Sequence, residues 1–219
     1  TVTLSSSGFP VGPLPEMRRP AVTGLQFWAV VRTLLENCRD VKEALSMLKD
    51  MPVAYNLNLI VLDREGRCAL VETLDGRMAV KTIDSDSVEQ ALYATNHPVL
   101  EELIPYEPKA FVHSIRRYDN ITAFLERHKK GITAGQLKDF FLTPYPEGLS
   151  CSYYSQFFGT TKTMVLDPVR GSLSLCWGGR PENGWHDFNF SDPFPQETAA
   201  IEIHNQTADP SIFAYRSLV

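Results

Sequence analysis

Apolar residues along this chain change their spacing several times, and each change marks a switch between strand and helix. Thr1 to Ser7 alternates as a strand does. Gly8 to Gly24 holds four prolines and three glycines and reads as a loop, long enough to be functional. From Leu25 to Cys38 the spacing becomes helical. Phe27, Val31, Leu34, Leu35 and Cys38 share one face, which predicts a helix buried along that stripe. Asp40 caps a second helix, with Glu43 three residues on as its reciprocal partner and Ala44, Leu45 and Leu48 as the buried face. Met51-Pro52 ends it, because proline has no N–H to give.

The period then falls to two. Asn56 to Leu62, Arg67 to Glu72 and Met78 to Thr82 read as strands, separated by turns at Asp63-Arg64-Glu65-Gly66 and Asp75-Gly76. This is an antiparallel meander, with one face apolar and the other solvated or covered by helices. A further strand is predicted over Ala91 to Thr95. It delivers Asn96 and stops at Pro98.

Helical spacing returns from about Phe111 to Lys129, where Ile115, Tyr118, Ile121, Phe124 and Leu125 share a side. Thr133 with Gln136 caps a short helix through Phe141, and Thr143 to Ser155 reads as a loop. Thr161 to Leu166 and Ser172 to Trp177, joined through Asp167-Pro168-Val169-Arg170-Gly171, form a hairpin signal. A turn at Gly178-Gly179-Arg180-Pro181 leads to a strand near His186 to Phe190. Helix pair, strands, helix pair, strands: this order predicts an α+β fold with antiparallel sheets, and an α-β-β-α sandwich fits it. A single domain over residues 1–219 is expected, with 191–219 a weakly patterned peripheral extension.

Charge and cysteine usage narrow the function classes. A net charge of −5 with no basic stripe argues against nucleic acid as a partner. No apolar run approaches the roughly 18 residues of a membrane-spanning helix. Cys38, Cys68, Cys151 and Cys176 lie far apart with no CxxC pairing, so they read as reduced core thiols rather than a zinc site or disulfide framework. That usage fits a reducing compartment such as the cytoplasm. No metal or cofactor is expected.

The chemistry concentrates at Ala94-Thr95-Asn96-His97-Pro98. An asparagine amide held at the edge of a sheet is a donor for a developing oxyanion, against the blander reading of an Asx turn beside a surface histidine. Other candidates carry less. Cys151 with one of five histidines makes a conceivable Cys–His pair, and Thr1 a conceivable terminal nucleophile. His97 with His113 or Glu101 lacks metal-ligand spacing. Asp84, Asp86, Glu101 and Glu102 read as solvated carboxylates, and Trp177 and Trp185 as core residues or walls of an acyl pocket.

Several stretches share an order with one family. Arg32-Thr33-Leu34-Leu35-Glu36, Val41-Lys42-Glu43-Ala44, Asn58 to Asp63, the Thr95-Asn96 element, Ser114-Ile115-Arg116-Arg117-Tyr118, and Thr160 to Pro168 with Gly179-Arg180-Pro181 together resemble the N-terminal-nucleophile hydrolases of the linear-amide type. That group includes choloylglycine hydrolases, penicillin V acylases and the acyl-CoA:6-aminopenicillanate acyltransferases. The resemblance implies a four-layer α-β-β-α sandwich and a terminal cysteine that attacks an acyl amide or thioester, with its own amine as base. It further implies that Asn96 helps form the oxyanion hole and that Arg117 supports the nucleophile, with Arg116 the alternative one residue away. The small-molecule acyl substrate is then the main partner, and a homo-oligomer is compatible. The family's cysteine and the elements just after it have no counterpart here, so the nucleophile is expected to lie outside residues 1–219. The rival expectation is an inactive fragment or binding module that keeps the fold.

Overall fold

The computed structural model describes residues 1–7, 21–193 and 200–219, so most of the loop expected over Gly8 to Gly24 lies outside the described residues. The chain forms two compact units, one of Thr1–Ile115 with Ala214–Val219 and one of Arg116–Phe213. Antiparallel sheets and helices occur in both, as the α+β expectation requires.

In the first unit β1 (Val2–Ser6), β2 (Leu57–Leu62), β3 (Cys68–Leu74) and β4 (Arg77–Ile83) make one antiparallel sheet in that spatial order. Helices α1 (Phe27–Asn37) and α2 (Val41–Asp50) cover one face of it. Alternation along β2 points Leu57, Leu59 and Val61 at the helices, where they meet Val30, Leu34, Val41, Ala44 and Leu48. Each such leucine contributes about 2–3 kcal/mol by leaving water. The buried stripe of α1 is Val30 and Leu34, whereas Phe27 and Leu35, expected inside, are exposed. The true stripe is narrower than the apolar content of the helix, and Phe27 instead lies against the Tyr55 ring at 5.3 Å between centroids.

The opposite face of the sheet is covered differently. Every residue of β3 is buried, including Glu72 and Thr73. Asn58 and Glu72 are directly paired across β2 and β3, with Ser5 next to Asn58 on β1. This polar row receives residues 95–100. The strand expected over Ala91 to Thr95 is not formed: that stretch is irregular backbone and joins no ladder. Side chains, not a neighbouring strand, hold the backbone groups that follow it, most of them from the sheet.

A short strand, β5 (Lys109–Phe111), precedes helix α3 (Val112–Arg127), which starts in the first unit and continues into the second. The second unit also holds α4 (Ala134–Leu142), with the expected capping box: Thr133 and Gln136 exchange side-chain and backbone bonds. The Phe124 and Phe140 rings stack at 4.2 Å. Strands β6 (Ser152–Tyr153) and β7 (Phe158–Gly159) pair briefly, while β8 (Lys162–Asp167), β9 (Ser172–Trp177) and β10 (His186–Asn189) form an antiparallel sheet with β9 central. Near the C-terminal end Ala208 and Ile212 are buried, and β11 (Tyr215–Ser217) pairs with β5. Among the described residues no helix is long and apolar enough to cross a membrane.

Local rules explain the ends of these elements. Asp40 accepts from the Glu43 N–H at 2.9 Å, and the Glu43 carboxylate returns to the Arg39 N–H, one residue earlier than the reciprocal bond expected. In the β2–β3 turn Gly66 takes a φ of +81°, which suits a residue without Cβ. Asp63 ties that turn to α2. Its carboxylate accepts from the N–H groups of Glu65, Arg67 and Val41 and from Arg67 Nε at 2.7 Å.

Burial by itself pushes the Asp63 pKa up, but these hydrogen bonds outweigh it and hold the group below the ordinary carboxylate range. A lowered native pKa gives stability that is present above the unfolded value of about 3.9 and lost as pH falls through the native value. Asp63→Asn is therefore expected to cost about 2 kcal/mol near neutral pH and progressively less in acid. Urea unfolding at a series of pH values checks this, and a cost independent of pH would refute it.

Candidate functional site

The Thr95–Pro98 stretch is held from the sheet and from α3, by side-chain and backbone groups. From the sheet, Asn58 Nδ2 donates to the carbonyls of Thr95 (3.1 Å) and His97 (3.0 Å), and Ser5 Oγ also donates to the Thr95 carbonyl. Just beyond, the two carboxyl oxygens of Glu72 accept the N–H groups of Val99 (2.8 Å) and Leu100 (3.0 Å). From α3, Ser114 Oγ accepts the Asn96 N–H at 2.8 Å, and Thr95 Oγ1 donates to the Ser114 carbonyl at 3.0 Å. From β1, the Ser6 carbonyl accepts Asn96 Nδ2 at 3.1 Å.

Asn96 is half-buried, and both its main-chain N–H and its side-chain amide are bonded. Its carboxamide is thereby held in one orientation, the property an electrostatic donor needs before reaction begins. His97 is buried, with Nδ1 2.8 Å from Ser114 Oγ and 3.2 Å from Thr95 Oγ1. His113 is buried and stacks on Phe111 at 5.2 Å. Among the described residues no group of three or more His, Cys, Asp or Glu side chains is placed to hold a metal ion.

Arg117 belongs to the second unit. Its guanidinium carbon lies 5.7 Å from the centre of the Phe158 ring. Loss of water lowers its pKa, while Cys151 and Tyr145, both within electrostatic reach, act in the opposite sense. Arginine stays charged through such shifts. Arg116 is exposed, and its Nε donates to the Pro146 carbonyl at 3.1 Å.

All four cysteines are unbridged; Cys38 is half-buried and the other three are buried. Burial pushes the Cys151 thiol up, and Arg117 only partly offsets it. Burial likewise raises Cys68, to about 11, as well as Cys176 and Cys38. At neutral pH these are thiols rather than thiolates.

The other sequence candidates are distributed elsewhere. The Thr1 amine donates to the Leu62 carbonyl at 2.8 Å, alongside the β1–β2 ladder. Asp84 closes a tight exposed turn by accepting from the Asp86 N–H and Ser87 Oγ. Trp185 packs beneath Lys138, whose Nζ is 5.0 Å from the ring centre.

The family question is decided by one match. The family model described as acyl-coenzyme A:6-aminopenicillanic acid acyl-transferase matches residues 14–182. The chain belongs to that family. The match contains Thr95 to Pro98, α3, and the hairpin of β8 and β9. No curated protein and no solved structure matches the chain.

Sequence reasoning about this acyltransferase-family chain singled out Asn96 and Arg117 but missed Ser5, Asn58, Glu72 and Ser114 as the groups that hold the Asn96 segment. A signal existed. Asn58 interrupts Leu57 and Leu59, and Glu72 follows Ala69-Leu70-Val71, so each puts a polar group into an otherwise apolar strand.

Burial raises the Glu72 pKa, the Val99 and Leu100 N–H groups pull the other way, and Glu102 pushes up again. A raised native value means that the contribution of Glu72 is full below the unfolded pKa of about 4.3 and is lost as pH rises through the native value. Glu72→Gln, which stays neutral, should flatten that falling limb. Glu72→Ala should cost on the order of 2–4 kcal/mol by leaving two N–H groups unpaired. Chemical unfolding from mildly acid to mildly alkaline pH measures both effects. A Glu72→Gln curve parallel to that of the parent would contradict the assignment.

Proposed function

We propose that this acyltransferase-family chain works in acyl transfer from a linear amide or thioester, to water or to an amine. The clamped Asn96 carboxamide is the observation that carries the reading. In such a reaction a nucleophile adds to the carbonyl carbon, and the carbonyl oxygen takes up negative charge. Asn96 donates to that oxygen, and because its orientation is already held, little reorganisation opposes the step. Arg117 supports the nucleophile electrostatically, with Arg116 the alternative. A cation beside a thiol lowers its pKa and favours the reactive thiolate. The fold in this reading is a four-layer α-β-β-α sandwich forming one domain.

The nucleophile in this reading is a cysteine outside residues 1–219. All four thiols here have raised pKa values, including Cys151 with Arg117 near it. The second reading is a binding module that retains the fold without turnover. Residues 1–219 alone are therefore expected to cleave acyl amides weakly or not at all, and a longer form with a terminal cysteine to cleave them.

The test is a panel of linear acyl amides and acyl thioesters, assayed with the parent and three variants of the form that turns over. Asn96→Ala should lower the rate on the order of 10²–10³-fold. Arg117→Ala should also impair it, and Cys151→Ala should leave it unchanged. Full activity in Asn96→Ala sinks the oxyanion role. Loss of activity on replacing Cys151 would make that thiol the nucleophile instead, and no turnover by any longer form leaves the binding module.

A further inference from the structure

The residue that fixes Asn96 from the α3 side sits at the centre of a buried hydrogen-bond cluster. Ser114 is fully buried in the first turn of α3. Its Oγ lies 2.8 Å from the Asn96 main-chain nitrogen, 2.8 Å from His97 Nδ1 and 3.1 Å from Thr95 Oγ1. A serine hydroxyl has one proton to give and two lone pairs. The Asn96 N–H can only donate, which occupies one lone pair. Thr95 Oγ1 lies within hydrogen-bond distance of the Ser114 carbonyl (3.0 Å), of Ser114 Oγ and of His97 Nδ1 (3.2 Å), so its single proton has three acceptors in reach. The proton and the second lone pair of Ser114 are shared between Thr95 Oγ1 and His97 Nδ1, one accepting and the other donating.

Either way round, with His97 donating and Thr95 accepting or the reverse, every donor and acceptor of the hydroxyl is used, and leaving one of these contacts unmade costs a buried hydrogen bond. The Ser114 hydroxyl therefore cannot turn away from Asn96 without also breaking its contacts to Thr95 and His97.

We infer that Ser114, locked by Thr95 and His97, is the positioning residue that sets the orientation of the Asn96 donor. This inference rests on the role proposed for Asn96, but its direct readout does not. Ser114 acts on the main-chain N–H of Asn96, and the Ser6 carbonyl acts on the side-chain amide, so the residue is held at both ends. Removing the acceptor on α3 frees the backbone end and lets the carboxamide swing.

The experiment compares three substitutions in the intact chain. Amide hydrogen exchange at Asn96, read by isotope-edited NMR, reports the bond itself. Ser114→Ala and Ser114→Cys, the second nearly isosteric but a poor acceptor, should speed exchange at Asn96 by about tenfold or more while the β2–β3 ladder stays protected. Ser114→Thr keeps the hydroxyl and should restore protection. Should Ser114→Ala fail to fold, Ser114→Cys carries the measurement. In the form that turns over, Ser114→Cys should lower kcat about tenfold with KM unchanged. Combined with Asn96→Ala, it should lower the rate no further than Asn96→Ala alone. Unchanged protection of Asn96 in both the Ala and Cys variants overturns the inference, as does full additivity of the two substitutions. An Asn96→Ala variant of full activity would sink the proposed role of Asn96 instead, and the exchange data would still decide whether Ser114 holds it.

Discussion

The first unit depends on a polar pair placed where the rest of its sheet is apolar. Asn58 and Glu72 face each other across β2 and β3, both fully buried. Removing an amide and a carboxyl group from water is costly unless each finds partners. Here the partners are backbone groups of residues 95–100, two carbonyls for the nitrogen of the amide and two N–H groups for the carboxyl. The demand is mutual. The segment cannot leave without stranding the pair, and the pair cannot be buried without the segment. A stretch with no ladder of its own thus acquires a definite path over the sheet, and Asn96 sits in the middle of it.

Two kinds of rigidity meet at that residue. Dense apolar packing between α1, α2 and the sheet fixes the platform through nondirectional contacts such as those of Leu34, Leu57 and Leu59. Hydrogen bonds from Ser5, Asn58, Glu72 and Ser114 fix the segment above it through directional ones. A site that stabilises developing charge needs the second kind, since an apolar contact constrains where a group is but hardly how it points. The electrostatics in the second unit differ. There Arg117 has lost much of its water near a neutral thiol and aromatic rings, so its charge is poorly screened.

Much of the fold was legible in the sequence because local signals and tertiary outcome agreed. The meander of β2, β3 and β4, the Thr133–Gln136 capping box and the β8–β9 hairpin all follow from alternation, caps and turn residues that act over a few positions. The errors have physical causes. Ala91 to Thr95 has strand-like composition, but at its end the Thr95 carbonyl is taken by the Asn58 and Ser5 side chains of the sheet, and no rule of alternation detects a partner of that kind. For α1 the apolar residues outnumber the positions that face the core, so Phe27 and Leu35 fell on the wrong side of a narrow stripe. Asn96 stood out because an expected strand end would set its amide at a sheet edge and because Thr95-Asn96 resembles a family element, whereas the structure holds it without that strand. Ser114, three residues before Arg117 on the same helix, belongs to a family-like stretch but gave no sign of its contact with Asn96, since a serine in a first helical turn has many ordinary uses.

The last strand has a consequence for how the chain is made. The first unit consists of two separate stretches, and β11 returns to β5 only after the whole of the second unit has been traversed. The two ends of the intervening stretch are neighbours, since the Val112 N–H reaches the Ala214 carbonyl at 3.0 Å. During synthesis from the ribosome the second unit is complete before the first one has its final strand. Until Tyr215–Ser217 emerges, β5 is an unpaired edge, open to pairing with whatever extended segment is near. The order of translation therefore assigns to the second unit the task of folding while its host is still unfinished.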